Sequence, residues 1–139
     1  MTQDKSSSDA GAPVMTRSGI VTLVGRANVG KSTLLNRFVG EKVSIVSDVA
    51  QTTRHLVRAI LTEARGQLVF LDTPGLHAAS YDLGRIMNRT AKSSIDGADV
   101  CLFLADADSK VREEDKSWMR RLTKAEVACV PVLNKIDKG

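Results

Sequence analysis

The segment Gly25-Arg26-Ala27-Asn28-Val29-Gly30-Lys31-Ser32 constrains this chain more than any other. It satisfies G-x-x-x-x-G-K-[ST] at every fixed position, and its context fits. The β-branched run Ile20-Val21-Thr22-Leu23-Val24 before it predicts a buried strand. Leu34, Leu35 and Phe38 after it share one side of a predicted helix that Gly40 ends. Glycines let such a loop wrap a phosphate closely, and its successive amide N–H groups point inward as a nest. The following helix adds its positive N-terminal end. Lys31 is placed to span two phosphates, and the Ser32 hydroxyl is a hard oxygen ligand for Mg²⁺. The bland alternative is a strand-helix turn with a chance Gly-Lys-Ser, which four specified positions in the right context make remote.

The rest of the chain sets bounds on that loop. With 139 residues, 42% hydrophobic and 26% charged, it has the size and composition of one globular domain. Its longest strongly apolar run, Val100 to Ala105, is far short of the ~20 residues of a membrane-spanning helix. The N-terminus has no apolar h-region, and with Asp4, Lys5, Asp9 and Arg17 it is not an Arg-rich transit peptide. Residues 1–18 read as an aperiodic, disordered tail of neutral charge. The net +4 therefore belongs to residues 19–139, a surplus compatible with a polyanionic partner without demanding one. Cys101 and Cys129 both sit in apolar runs and read as small buried hydrophobes in a reducing, cytoplasmic compartment.

From Gly19 onward strands and helices alternate. His55 to Thr62 and Gln67 to Leu71 predict an antiparallel pair about a turn at Glu63 to Gly66. Leu83, Ile86, Met87, Ala91 and Ile95 recur at helical spacing. Val100 to Ala105 predicts a strand, Val111 to Lys124 a helix with Trp118, Met119 and Leu122 on its apolar side, and Val127 to Leu133 a last strand. The fold class is α/β, a mostly parallel sheet with helices on both faces. Ligands bind such sheets beyond the carboxyl ends of the strands, where the informative residues fall. Pro131 is in tension with this: either its nitrogen faces an unpaired side or the last strand bulges.

Two further motifs select the chemistry. Asp72-Thr73-Pro74-Gly75 follows a strand, 41 residues after Lys31. The carboxylate can hold Mg²⁺ through a water, and the glycine N–H can meet a γ-phosphate that is gone after hydrolysis. Alone, D-x-x-G is a weak signal and Asp-Thr-Pro-Gly reads as a β-turn. Asn134-Lys135-Ile136-Asp137 ends the last strand. A carboxylate there accepts from N1–H and the exocyclic amine of guanine, whereas adenine presents the opposite pattern on that edge. Asn134 can tie this loop to the phosphate loop, and the Lys135 stem can cover the base. Alone, N-K-x-D is a polar turn; third in order after the other two, it selects guanine. Between the first two motifs, Asp48 to His55 is a polar loop in which Thr52 or Thr53 can complete the metal shell when triphosphate is bound.

On these segments the chain resembles the G domain of Era-type GTPases, in the translation-factor-related class of P-loop GTPases. The similarity runs from about Ser18 to Gly139 and includes Gln51-Thr52-Thr53-Arg54-His55 and the Met87-Asn88-Arg89 stretch. It implies nucleotide contacts from Gly25, Arg26, Ala27, Asn28, Val29, Gly30, Lys31, Ser32 and Thr33, from Asp72, Thr73, Pro74, Gly75 and Leu76, and from Asn134, Lys135, Ile136 and Asp137. Lys31, Thr52, Thr53, Asp72 and Gly75 are its implied catalytic set, with Ser32, Thr52, Thr53 and Asp72 around Mg²⁺ and Asn28 as a K⁺ ligand. It further implies slow hydrolysis of GTP to GDP and a switch role in small ribosomal subunit maturation. Small-subunit ribosomal RNA and the pre-ribosomal small subunit are then the partners, and peripheral association with a membrane surface stays open.

Many GTPases carry glutamine after the D-x-x-G glycine, where this chain has Leu76, so water positioning falls to backbone, K⁺ or a partner. Leu76 also leaves open a guanine-nucleotide sensor or scaffold without useful hydrolysis; an ATP-using P-loop enzyme is the third alternative. His77 and His55 read as switch-loop and strand residues rather than catalytic groups. The basic residues Arg112 to Lys124 read as a solvated face, interleaved with Glu113, Glu114 and Asp115. Measured against the resemblance, residues 19–139 are expected to be a truncated G domain. It would lack the last strand and helices, the final base-contacting loop and a C-terminal KH-type RNA-binding domain, with Pro131 on the side that the missing strand would fill.

Overall fold

The computed structural model describes residues 17–40, 57–75 and 82–138. The predicted 1–18 tail is thus almost wholly outside the described residues, as are Thr52, Thr53, His55, Leu76 and His77. The elements run β1 (Ser18–Val24), α1 (Lys31–Val39), β2 (Val57–Glu63), β3 (Gly66–Asp72), α2 (Asp82–Ser93), β4 (Val100–Asp106), α3 (Glu113–Lys124) and β5 (Ala128–Asn134). They form one five-stranded sheet in the order β2-β3-β1-β4-β5. Only β2 is antiparallel, joined to β3 through Ala64 and Arg65; β3, β1, β4 and β5 are parallel neighbours.

Alternation along the strands sorts the core into two layers. Val21, Leu23, Ala59 and Phe70 are buried on the α1 face with Leu35. Phe38 lies at the rim of this layer, its ring stacked on Phe70 at 5.5 Å. On the opposite face Val24, Cys101 and Phe103 pack against Ala91, Ile95, Trp118 and Leu122, so α2 and α3 cover the same side. Trp118 and Met87 are fully buried, each contributing roughly 1.5–3 kcal/mol. Thr22, a polar residue in this layer, is satisfied by Ser94 Oγ at 3.1 Å.

Three expectations need correction. Met119 is 44% exposed and Ile86 60% exposed, because the helical stripe that meets the sheet is narrower than the apolar spacing implied. Helix α3 starts at Glu113 rather than Val111; the Asp115 carboxylate accepts from the Arg112 N–H at 2.9 Å and sets the boundary. Cys129 is exposed, since β5 is at the edge of the sheet that the described residues form, while its register partner Cys101 is buried and its thiol pushed up to about 12, chiefly by burial.

Pro131 is also explained. The β4–β5 register runs without a bulge from Val100↔Ala128 to Asp106↔Asn134. Asn134 O accepts from Ala107 N–H at 2.9 Å, toward β4. Backbone polar groups alternate sides along a strand, so three residues earlier the Pro131 nitrogen faces outward, as an edge strand requires.

Candidate functional site

The carboxyl ends of β1, β3, β4 and β5 deliver Gly25, Asp72, Asp106 and Asn134 to one rim of the sheet, against the N-terminus of α1. The loop from Gly25 to Gly30 crosses this rim. Asn28 takes a left-handed backbone with φ 63°, and Gly30 has φ 102°, a region that glycine enters without penalty. A substituent there would also have to push a side chain aside. A Cβ on Gly30 would stand 2.2 Å from Asn134 Nδ2.

Lys31 is buried, and its ammonium folds back onto the loop. Nζ donates to Gly25 O at 3.1 Å and to Arg26 O at 2.8 Å. Burial lowers its pKa to about 8, against the opposing pull of the Asp72 carboxylate. A cation this deep, hydrogen-bonded to neutral carbonyls and only partly compensated by Asp72, is poised to meet an anion entering the loop.

The sequence motifs converge on this loop. Ser32 Oγ donates to Asp72 Oδ2 at 2.6 Å, joining two of the predicted magnesium residues. Thr73 and Pro74 are buried, and Thr73 Oγ1 donates to Leu23 O at 2.7 Å, which anchors the D-x-x-G segment to β1. Gly75 lies directly on the phosphate loop: a Cβ there would stand 2.4 Å from Ala27 Cα. Asn134 Nδ2 donates to Val29 O at 2.8 Å, across 105 residues of sequence. Lys135, left-handed at φ 61°, stretches its amine to Asn28 O at 2.6 Å and Asp106 Oδ2 at 3.0 Å. Ile136 and Asp137 follow in an exposed turn closed by Lys138 N–H to Lys135 O at 3.1 Å. Thr33 is exposed on the first turn of α1.

Two residues that sequence reasoning missed support this set. Asp106 ends β4 and holds Lys135; the bond to that amine keeps its carboxyl below the usual range. Asp115 reaches from α3 to Arg26, with Arg26 Nε 3.2 Å from Oδ2 and both side chains buried. Arg26 also donates to Ser109 Oγ. An acid at the end of an apolar strand was the available signal for Asp106. Asp115 carried none beyond its place in the first turn of a helix.

The donor set suits a hard cation. Among the described residues no three His, Cys, Asp or Glu side chains gather as a metal site. A hydroxyl and a carboxylate side by side at the mouth of an anion nest instead match Mg²⁺ shared with phosphate oxygens. Thr52, Thr53 and Leu76 of the expected set lie outside the described residues.

A family described as 50S ribosome-binding GTPase matches residues 20–135. Over 124 residues the chain is 48% identical to the GTPase Era of Clostridium acetobutylicum, covering 89% of this chain and 42% of that protein. The structure of Era in complex with MgGDPNP and nucleotides 1506–1542 of 16S ribosomal RNA superposes with a TM-score of 0.82 at 41% identity, covering 88% of this chain and 42% of that one. A structure of an Aquifex aeolicus Era variant bound to GDP·AlF₄⁻ gives the same values. The chain spans about 42% of the length of the relatives it matches.

Proposed function

The chain belongs to the 50S ribosome-binding GTPase family, and from that premise we propose that it binds guanine nucleotide at the rim described above and hydrolyses GTP to GDP and phosphate. In this role it is a switch in small ribosomal subunit assembly, working in the cytoplasm with ribosomal RNA as partner. Support for the partner comes from the Era structure whose ligands include 16S ribosomal RNA nucleotides. No described helix is long and apolar enough to cross a membrane.

The observation that carries the proposal is that two separate motifs touch the phosphate loop, which is itself the third. Gly75 abuts Ala27, Asn134 bonds Val29, and Lys135 bonds Asn28. Phosphoryl transfer needs its developing charge neutralised more than it needs covalent help. Lys31 and the loop amides supply that charge compensation from fixed positions, so little reorganisation accompanies the reaction. Ser32 and Asp72 would hold Mg²⁺, which would help neutralise the charge that develops on the phosphates. Asp137 reads the guanine amine and imino edge, while Asn134 fixes the loop that carries it.

Single-turnover hydrolysis of GTP with Mg²⁺, with and without K⁺, tests the proposal. A rate above buffer that requires Lys31 is expected. Tight guanine-nucleotide binding with no rate above buffer in either salt would leave a sensor and remove the enzyme.

A further inference from the structure

We propose that the groove between α2 and α3 is a docking surface for the phosphate backbone of double-stranded RNA, separate from the nucleotide site. It deepens the functional proposal above, on which the choice of RNA as the polyanion rests. Two adjoining depressions of about 440 and 450 Å³ share Lys92 and Arg121 on their walls. Arg85 and Arg89 extend the cationic lining along α2, and Arg120 and Lys124 along α3. Against these six cations the described residues of the walls include one carboxylate, Asp96.

Folding separates charges that the sequence mixes. The acids of α3 lie in its first turn, where Asp115 is consumed by Arg26 and Glu113 bonds Lys116 at 2.9 Å. Glu113 also stands 4.0 Å from Arg120, between exposed side chains, a weak tie. From Lys116 to Ala125 there is no acid, and none follows Asp82 in α2. Cations complement a helix's C-terminal end, which accounts for Lys92, Arg121 and Lys124. Arg121 further donates to Lys92 O at 3.1 Å. Arg89 and Arg120 fall outside the last turns, where the helix dipole does not account for them.

The lining chemistry favours RNA phosphate over an acidic protein, and duplex over single strand. Guanidinium forks match phosphate oxygens two bonds at a time, and four of the six lining cations, Arg85, Arg89, Arg120 and Arg121, are arginines. Single-strand binding relies on exposed aromatic rings for stacking, and the described residues of these walls include none, Trp118 being fully buried. Duplex RNA is held by shape and backbone contacts, which this groove supplies. The helices run back from the nucleotide rim, so Lys92, Arg121 and Lys124, in their last turns, lie toward the opposite end of the sheet. Nucleotide and RNA can be bound together.

The test is fluorescence anisotropy of the GDP-loaded chain with a labelled RNA duplex of about 20 base pairs and its single strand, from about 50 to 200 mM KCl. A triple variant, Arg89→Glu with Lys92→Glu and Lys124→Glu, is compared with Arg37→Glu, Arg65→Glu and Lys116→Glu, which makes the same change in net charge elsewhere. The groove variant is expected to lose at least about tenfold in duplex affinity and about 2 to 3 in salt slope, at 0.9 per phosphate contact, while the control keeps the slope. Gln substitutions at the three groove positions repeat the test if the Glu variant fails to fold. Equal losses in groove and control variants, preference for the single strand, or equal displacement by polyglutamate would each overturn the docking surface. GDP affinity of the unmodified chain is measured in parallel: its absence refutes the nucleotide site, and its presence with unchanged salt slopes refutes only the groove.

Discussion

Arg26 of the phosphate loop and Asp115 of α3 meet at 3.2 Å inside the protein, both side chains less than a tenth exposed. Asp115 simultaneously accepts from the Arg112 N–H, so one carboxylate both starts a helix and pins the loop that faces the ligand. Asp115→Ala strands a buried guanidinium, and a loss of about 3–5 kcal/mol in urea unfolding is expected. The double variant Arg26→Met with Asp115→Leu should be more stable than Asp115→Ala alone, because no buried charge is left unmatched. Additive losses would mean that the pair is not coupled.

Lys31 predicts a pH dependence. Burial holds its pKa at about 8 despite the pull of Asp72, and an entering phosphate favours the charged form and raises it. Nucleotide binding then takes up a proton above pH 8, so affinity falls as pH rises, by at most about tenfold per unit. Titration calorimetry from pH 7 to about 9 should show this fall, short of the guanine's own titration. Lys31→Met should bind triphosphate far more weakly, with no such trend over the same window. A flat profile for the unmodified chain would contradict the placement of the amine.

Gly75→Ala should uncouple the D-x-x-G segment from the phosphate loop, because its Cβ would enter the space of the Ala27 backbone. Backbone cannot yield as a flexible side chain does. A loss of at least about tenfold in affinity for a non-hydrolysable GTP analogue is expected, larger than any loss for GDP. Equal losses for both nucleotides would show that the glycine serves the fold and not the γ-phosphate.

Base selection can be separated from loop support. Asp137→Asn should move preference from GTP toward xanthosine triphosphate, whereas Asn134→Ala should weaken both by about 0.5–1.5 kcal/mol through loss of the bond to Val29. Competition binding with the two nucleotides distinguishes the outcomes. Unchanged guanine preference in Asp137→Asn would remove the base assignment.

Motif spacing made the nucleotide rim legible because each motif is a local chain segment with its own turn chemistry. The sheet was legible for the same reason: β-branched runs ended near where the strands end. Of the contacts between distant segments, the tie from Asn134 to the phosphate loop was legible from the motif, and it lands on Val29, 105 residues away. The grip of Asp106 on Lys135, 29 residues apart, was not. The α2–α3 groove was hidden differently. Each helix mixes polar and apolar residues unremarkably, and only their packing on one sheet face brings six cations to a common surface. The exposed Met119 and Ile86 erred in the other direction, since apolar periodicity overstates how wide a strip of helix the sheet can cover.

The outward nitrogen of Pro131 governs what may align with the outer edge of β5. A strand laid along that edge finds amide donors at Cys129 and Leu133 but none at the position between them. Its carbonyl opposite Pro131 must turn to water or be relieved by a bulge. Sliding the strand by two residues moves that unmatched carbonyl to a different residue of the newcomer. The proline thus acts as a fixed mark against which a neighbouring strand finds its register, and it penalises chance pairing along the edge.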